Sequence, residues 1–139
     1  MGELKPEEIP YNMLSLDPFS KWLGIDIIEV KKGYCKLGLK IRHDMLNSMQ
    51  KVHGGVSYAL ADTAFGFAAN THGKFAVSIE TSINHIEALE EGDYVVAETA
   101  LDVTKNRLGF SYVNLYVEDK LVAIFKGVVY RTRREWLAP

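Results

Sequence analysis

The sequence has little cysteine and no long hydrophobic run. Its single cysteine, Cys35, excludes an intrachain disulfide and is typical of a reducing compartment. No stretch reaches the roughly 20 apolar residues that a membrane-spanning helix needs. The first ten residues, MGELKPEEIP, also lack the apolar centre of a secretory signal peptide. We therefore expect a cytoplasmic protein without a membrane partner.

The chain also lacks a charge excess and the common motifs for metals or nucleotides. Its 16 basic and 18 acidic side chains leave a formal net charge of −2, which gives no overall basis for binding nucleic acid. The 4 histidines are scattered without the spacing of metal ligands, and His85 lies in a strand-like stretch where a structural role is expected. No glycine-rich phosphate loop is present. We expect no nucleic-acid partner, no metal and no separate cofactor.

The composition is that of an ordinary globular protein. With 139 residues, 47% of them hydrophobic, the chain fits one domain, and no linker or repeat divides it. Helix-start signals occur at Pro6 and at Asp17-Pro18. We expect a single domain over residues 1–139, in which residues 1–24 form a short helical lead-in.

The most informative stretch is KVHGGVSYALADTAFGFAAN, residues 51–70. Small and apolar residues occur on every side of its helical projection, which is typical of a buried helix. The stretch is too long for an ordinary strand, and it is rich in alanine. It therefore predicts a central hydrophobic helix that other elements surround.

Asp62 is the only formal charge within that helical pattern. An ionised carboxylate is costly to bury without partners, so it is exposed, paired or used in chemistry. Gly54 and Gly55 lie where the helix begins, and free N–H groups there suit an oxygen that becomes negative during a reaction. His53 precedes Asp62 by nine positions, roughly 13 Å of helix axis and opposite faces. If both serve one reaction, the simplest site lies between two subunits.

Strand-like patterns flank the helix. Before it, IDIIEVKK and YCKLGLKI around Gly33 predict a hairpin. After it, residues 75–86, 94–104, 108–117 and 121–130 read as long strands separated by short breaks that suit antiparallel neighbours. The pattern predicts an α+β fold in which a long, curved antiparallel sheet wraps around the central helix.

The sequence HGG followed by SYALADTAFGFAAN resembles the signature of the hotdog-fold acyl-CoA thioesterases, in particular the phenylacetic acid degradation (PaaI-type) branch. The similarity extends from about residue 19 to residue 131, and it is most specific over residues 47–70. The resemblance implies a hotdog fold and hydrolysis of an aryl- or short- to medium-chain acyl-CoA to the carboxylic acid and free CoA. It also implies a homodimer with sites between subunits, commonly paired into a homotetramer.

The resemblance further implies roles for individual residues. Asp62 matches the catalytic carboxylate, which acts as a general base on water or as a nucleophile. The Gly54 amide matches the donor that holds the carbonyl oxygen, and His53 and Asn47 match positions near the thioester and the attacking water. Ser78 matches a hydroxyl residue that orients the water, although alternation in its strand does not show which sheet face it occupies.

Coenzyme A carries phosphates, so basic side chains are expected near the entrance of the site. The candidates are Lys105 and Arg107, at the KNR turn, and Arg131 or Arg133, at the end of the last strand. The loop before the helix and the helix itself are expected to line the acyl pocket, with Met49, Tyr58 and Phe65.

Two other functions remain open at this stage. A hydratase or dehydratase of the same fold would move protons on an enoyl or hydroxyacyl chain, but the proline-rich loop that follows the histidine in those relatives is missing here. A sensor that binds acyl-CoA without turnover would usually carry a DNA-binding segment, and the first twenty residues are too few and too acidic for one.

Overall fold

The structure, a computed structural model, describes residues 2–138. Three α-helices and six strands follow one another along the chain: α1 Ile9–Ser15, α2 Pro18–Leu23, β1 Asp26–Lys31, β2 Tyr34–Lys40, α3 Gly54–Asn70, β3 Lys74–His85, β4 Tyr94–Lys105, β5 Leu108–Val117 and β6 Lys120–Glu135. The strands form one antiparallel sheet in the order β1-β2-β4-β5-β6-β3. Because α3 contacts five of these strands, β2 to β6, the sheet bends around the helix. The predicted α+β fold is confirmed.

α3 occupies the concave side of the sheet. Leu60, Ala61, Ala64 and Phe65 have at most 1% of their surface exposed, and they pack against the buried side chains of the strands. The helix is not covered on every side, however, because Asp62 is exposed. The prediction of burial all around α3 is therefore not met within a single chain, which leaves one side of the helix open.

The predicted hairpin before α3 is confirmed, since β1 pairs with β2 and Gly33 adopts a left-handed backbone at the turn. The neighbours expected after α3 are partly wrong. β3 pairs with β6 instead of β4, and residues 86–93 cross from one edge of the curved sheet to its middle. A short break alone favoured adjacent strands, but β4 pairs with β2 on one side and β5 on the other, so no place beside it is left for β3.

β3 is an edge strand with two irregularities in its register. One of them lies between Ser78 and Glu80, where an extra residue shifts the alternation of side chains. Ser78 pairs with Val129 and His85 with Ala123, both of which are buried. Cross-strand partners share a sheet face, so Ser78 and His85 both lie on the concave face that meets α3.

The first 24 residues contain α1 and α2. Asp17 caps α2 by accepting a hydrogen bond from the Ser20 N–H at 3.0 Å, and Gly24 ends it in a left-handed conformation. Ile9 is fully buried where α1 packs against α3. Among residues 2–138, no helix is long and apolar enough to cross a membrane.

Candidate active site

The first turn of α3 presents a free backbone donor. His53 precedes the helix, and its Nδ1 accepts a hydrogen bond from the Gly55 N–H at 2.9 Å. Its carbonyl oxygen accepts from the Val56 N–H, also at 2.9 Å. Within residues 2–138 no acceptor takes the N–H of Gly54. That N–H lies at the positive end of the helix dipole, so it is available to an oxygen that carries partial negative charge.

His53 has a structural role and a free ring nitrogen. Because its Nδ1 accepts from Gly55, the neutral imidazole carries its proton on Nε2. The residue is exposed, and no hydrogen-bond partner of Nε2 occurs among residues 2–138, so Nε2–H can donate to a ligand. His53 therefore caps the helix and still offers a ring N–H to a ligand.

Asn47 shapes the loop that leads into α3. Its Oδ1 accepts hydrogen bonds from the N–H groups of Met49 at 2.8 Å and Lys51 at 3.1 Å. The backbone ties this loop to the helix start, since the His53 N–H donates to the Met45 carbonyl at 2.9 Å. These bonds fix the side chain of Asn47 by its oxygen and leave its NH₂ group as the end that can contact a ligand.

Asp62 lies on the open side of α3. No hydrogen-bond partner for its carboxylate occurs among residues 2–138, so the acid is not tied into the framework of its own chain. The side chain is exposed, but the protein atoms around the carboxylate still displace enough water to raise its pKa above the ordinary value. An unpaired acid with a raised pKa is typical of a group kept for proton transfer or nucleophilic attack.

Ser78 lies at about the same level along α3 as Asp62. The Tyr58 hydroxyl bonds to Thr81 Oγ1 at 2.6 Å, and the Ala76 N–H donates to Asn70 Oδ1 at 3.0 Å. These two contacts show that α3 and β3 run in opposite directions. Asp62 lies between the two helix positions and Ser78 between the two strand positions.

The proposed site residues thus fall into two groups. Asn47, His53 and Gly54 surround the beginning of α3, whereas Asp62 and Ser78 lie midway along it. Gly54 and Asp62 are eight positions apart, which corresponds to roughly 12 Å along the helix axis. One thioester group cannot contact both groups within one chain.

His85 joins the first group, although its strand-like sequence predicted only a structural role. A Cβ placed on Gly54 would lie 3.3 Å from His85 Nε2, so the imidazole passes directly beside the glycine. Its Nδ1 lies 3.4 Å from Ser57 Oγ. His85 and Gly54 are 31 positions apart, so spacing along the sequence gave no signal of this contact.

Three of the basic candidates differ in their surroundings. Lys105 is exposed at the β4–β5 turn, and Arg107 is half-buried there, with Nη1 donating to the Arg131 carbonyl at 3.1 Å. Arg131 has only 6% of its surface exposed, and its Nη2 donates to the Ala69 carbonyl at 3.3 Å. The prediction that Arg131 contacts CoA phosphates from the surface is therefore wrong.

The expected acyl-pocket residues are also separated by the structure. Phe65 is buried in the core, with its ring centroid 5.4 Å from that of Phe125, and it cannot line an open pocket. Tyr58 is half-buried, and Met49 is 75% exposed on the loop of Asn47. Only Met49 and Tyr58 remain available to a ligand.

The arrangement suits acyl transfer to water. It offers a backbone donor for a carbonyl oxygen, an acid without a partner and hydroxyl, amide and imidazole groups that can orient water. In the described part of the chain, no three histidine, cysteine or carboxylate side chains converge as metal ligands would.

Comparison with known proteins agrees with this fold and identifies the family. Residues 49–124 match the family described as the thioesterase superfamily. A putative esterase from Archaeoglobus fulgidus is 36% identical over 133 residues, which cover 94% of this chain and 85% of the relative. The acyl-coenzyme A thioesterase PaaI of Escherichia coli is 32% identical over 120 residues and 86% of both chains. The solved E. coli PaaI structure superposes with a TM-score of 0.89 over 93% of this chain and 94% of that one, at 30% identity.

A six-stranded antiparallel sheet curved around one long helix is the hotdog fold. The chain belongs to the thioesterase superfamily and is a thioesterase of the PaaI type.

Proposed function

We propose that this protein hydrolyses an acyl-CoA thioester to a carboxylic acid and free CoA. The observation that carries the proposal is that one helix carries both a free N–H, at Gly54, and a carboxylate without a partner, at Asp62, whose pKa is raised. The E. coli relative is named an acyl-coenzyme A thioesterase, and its solved structure is described as that of the PaaI protein from the phenylacetic acid degradation operon. An arylacetyl or short- to medium-chain acyl group is therefore the first substrate to test.

The reaction uses these groups in a simple order. The Gly54 N–H donates to the thioester carbonyl oxygen and stabilises the negative charge that develops on it. Asp62 either removes a proton from water as the water attacks the carbonyl carbon or attacks that carbon itself. The C–S bond then breaks, the CoA thiolate leaves, and the acyl group ends as a carboxylate. In the direct route, water hydrolyses the resulting anhydride and restores Asp62.

The other candidate residues support these steps. His53 Nε2–H and the NH₂ group of Asn47 hold the thioester and the attacking water, and the hydroxyl of Ser78 orients that water beside Asp62. Lys105 and Arg107 contact the CoA phosphates as exposed or half-buried cations. No metal or separate cofactor is required, because a thiolate leaves readily once the carbonyl oxygen is stabilised.

The site is completed by a second copy of the chain. Gly54 and Asp62 of one chain are too far apart to act on one thioester, so Asp62 and Ser78 of one subunit work with Asn47, His53 and Gly54 of its partner. The outer edge of β3 has no strand partner within residues 2–138 and carries Val77 and Ile79, which are 53% and 60% exposed. A long apolar edge of this kind favours pairing with another strand. We therefore propose a homodimer joined through β3.

A homotetramer is favoured by the convex face of the sheet. Its exposed apolar side chains lie in cross-strand pairs, Leu101 opposite Tyr112 and Val103 opposite Phe110. All four are between 39% and 44% exposed, and an apolar area of this kind marks an interaction surface.

We also propose a cytoplasmic location, which is supported by a lone cysteine that remains a thiol.

The function is tested by thiol release from a panel of aryl- and alkyl-acyl-CoA thioesters. Cys35 does not disturb the assay, because burial raises its pKa to about 12. Asp62→Asn should lower kcat by about 100-fold or more, the usual range for a general base. Asp119→Asn, at an exposed turn, is the matched control and should keep the wild-type rate.

Three results would contradict the assignment. Full activity of Asp62→Asn would remove that carboxylate from the chemistry. Tight binding of acyl-CoA without thiol release would indicate a sensor, and water addition to an enoyl-CoA would indicate a hydratase.

A further inference from the structure

A second imidazole lies beside the Gly54 amide, and the mechanism above does not use it. His85 projects from the concave face of β3 at the start of α3, where the missing side chain of Gly54 leaves room for its ring. Together with Val52, Ser57 and residues 86–89, the two line a cavity of about 290 Å³. The cavity therefore opens next to the free N–H of Gly54.

The neighbours of His85 determine which ring nitrogen carries its proton. Ser57 is buried, and its Oγ–H donates to the Gly54 carbonyl at 3.1 Å, the shorter of its two contacts. The serine oxygen then has only lone pairs to offer to His85 Nδ1 at 3.4 Å. Nδ1 is thus the protonated nitrogen, and Nε2 of the neutral ring is an acceptor beside Gly54.

An acceptor at this point matches the chemistry of a CoA thioester. In CoA, two methylene groups separate the sulfur from an amide N–H. When the thioester carbonyl rests on the Gly54 N–H, this amide lies within a few ångströms of the same glycine. A nearby acceptor can therefore bind the amide without contacting the reacting carbon.

We propose that His85 Nε2 accepts a hydrogen bond from the amide N–H nearest the sulfur of the substrate and so positions the thioester against Gly54. The proposal rests on the proposed function, since it assumes that Gly54 holds the thioester oxygen. It makes His85 a substrate-binding residue that selects thioesters with an amide in this position.

Two small substrates test the contact directly. An N-acetylcysteamine thioester carries the amide, and the S-(2-acetoxyethyl) thioester of the same acid has an ester oxygen in place of the N–H. The wild-type protein should prefer the amide by roughly three- to tenfold in kcat/KM, the size of one hydrogen bond. His85→Phe should reduce this preference to about one, because its ring fills the space but has no acceptor.

Two further variants separate binding from folding. His85→Gln retains an acceptor and should restore part of the preference for the amide. His43→Phe changes an exposed histidine elsewhere and should leave the preference unchanged. Because each preference is a ratio within one protein sample, partial unfolding cancels. A wild-type ratio near one, or equal losses on both substrates in His85→Phe, would overturn the proposal.

The affinity for CoA itself, measured by calorimetry, distinguishes this proposal from the proposed function. His85→Phe should weaken CoA binding by roughly three- to tenfold, and His43→Phe should not. If CoA affinity falls in His85→Phe as expected, but the wild-type protein releases no thiol from the acyl-CoA panel, only the proposed function is contradicted. A wild-type protein that does not bind CoA would overturn both.

Discussion

The Asp62 carboxylate combines exposure in one chain with a pKa that burial raises. Burial favours the neutral form because the surrounding atoms solvate a charge less well than water does. The folded chain therefore holds this proton more tightly than the unfolded chain. Ionised Asp62 costs stability, and this cost increases as the pH rises from the unfolded-state pKa through the raised folded-state pKa.

This property predicts the acidic limb of the pH profile. If ionised Asp62 is the base or nucleophile, kcat/KM should rise with pH around a midpoint above about 3.9, the ordinary value for an aspartate. N-acetylcysteamine thioesters are the right substrates, because their own groups do not titrate in this range. An acidic limb centred at or below the ordinary value would contradict the assigned role.

The stability of Asp62→Asn gives an independent reading of the same property. The amide removes the cost of ionisation, so the midpoint of thermal unfolding at pH 7 should be no lower than that of the wild type. A large loss of stability would mean that the carboxylate has a structural partner, which would contradict the unpaired geometry.

Single residues also show which parts of the site the sequence predicts and which it does not. Asp62, His53 and Gly54 stood out because a charge and a glycine pair interrupt an apolar pattern. The face of Ser78 was hidden by an irregularity in β3, which alternation cannot reveal. Arg131 was expected at the surface because the predicted last strand ends at residue 130, but β6 continues to Glu135, and Arg131 is buried beside Ala69.

At the level of elements, α3 and β6 are fitted to each other at one point. A Cβ on Gly127 would lie 2.6 Å from Phe65 Cζ, closer than real contacts allow. Phe65 in turn packs against Phe125, and both side chains are fully buried. The glycine is thus needed for close packing of the helix against the sheet.

Gly127→Ala should destabilise the protein by about 1–3 kcal/mol, because the added methyl group overpacks the core. Denaturant unfolding measures the change. Phe65→Leu in the same chain removes the atoms that the methyl group would meet, so the double variant should be more stable than the sum of the single changes predicts. Strict additivity would show that the two sites do not interact.

The elements were more predictable than their arrangement. Length, alanine content and apolar residues on every side identified α3, and alternating patterns identified the strands, because these signals are local. The pairing of β3 with β6 depends on the closing of the whole curved sheet, and no local pattern records it. His85 reaches Gly54 through this pairing and the crossing of α3 over the sheet, so no local sequence pattern predicts the contact.

At the scale of the whole molecule, the length of α3 separates the site residues into two groups. The beginning of α3 carries the oxyanion donor, and its middle carries the acid. The exposed edge of β3 lies beside both groups and offers a route by which a second chain supplies what the first lacks. Assembly is therefore part of the catalytic site in this account.

Complementation between two inactive variants tests this claim most directly. His53→Ala and Asp62→Asn chains, refolded together in equal amounts, should form mixed dimers in which one site carries both changes and the other carries neither. About one quarter of the wild-type activity should then return, because about half of the dimers are mixed and one site in each is intact. The double variant His53→Ala/Asp62→Asn, refolded alone, is the control and should stay inactive. A mixture no more active than the average of its two components would contradict a site shared between chains.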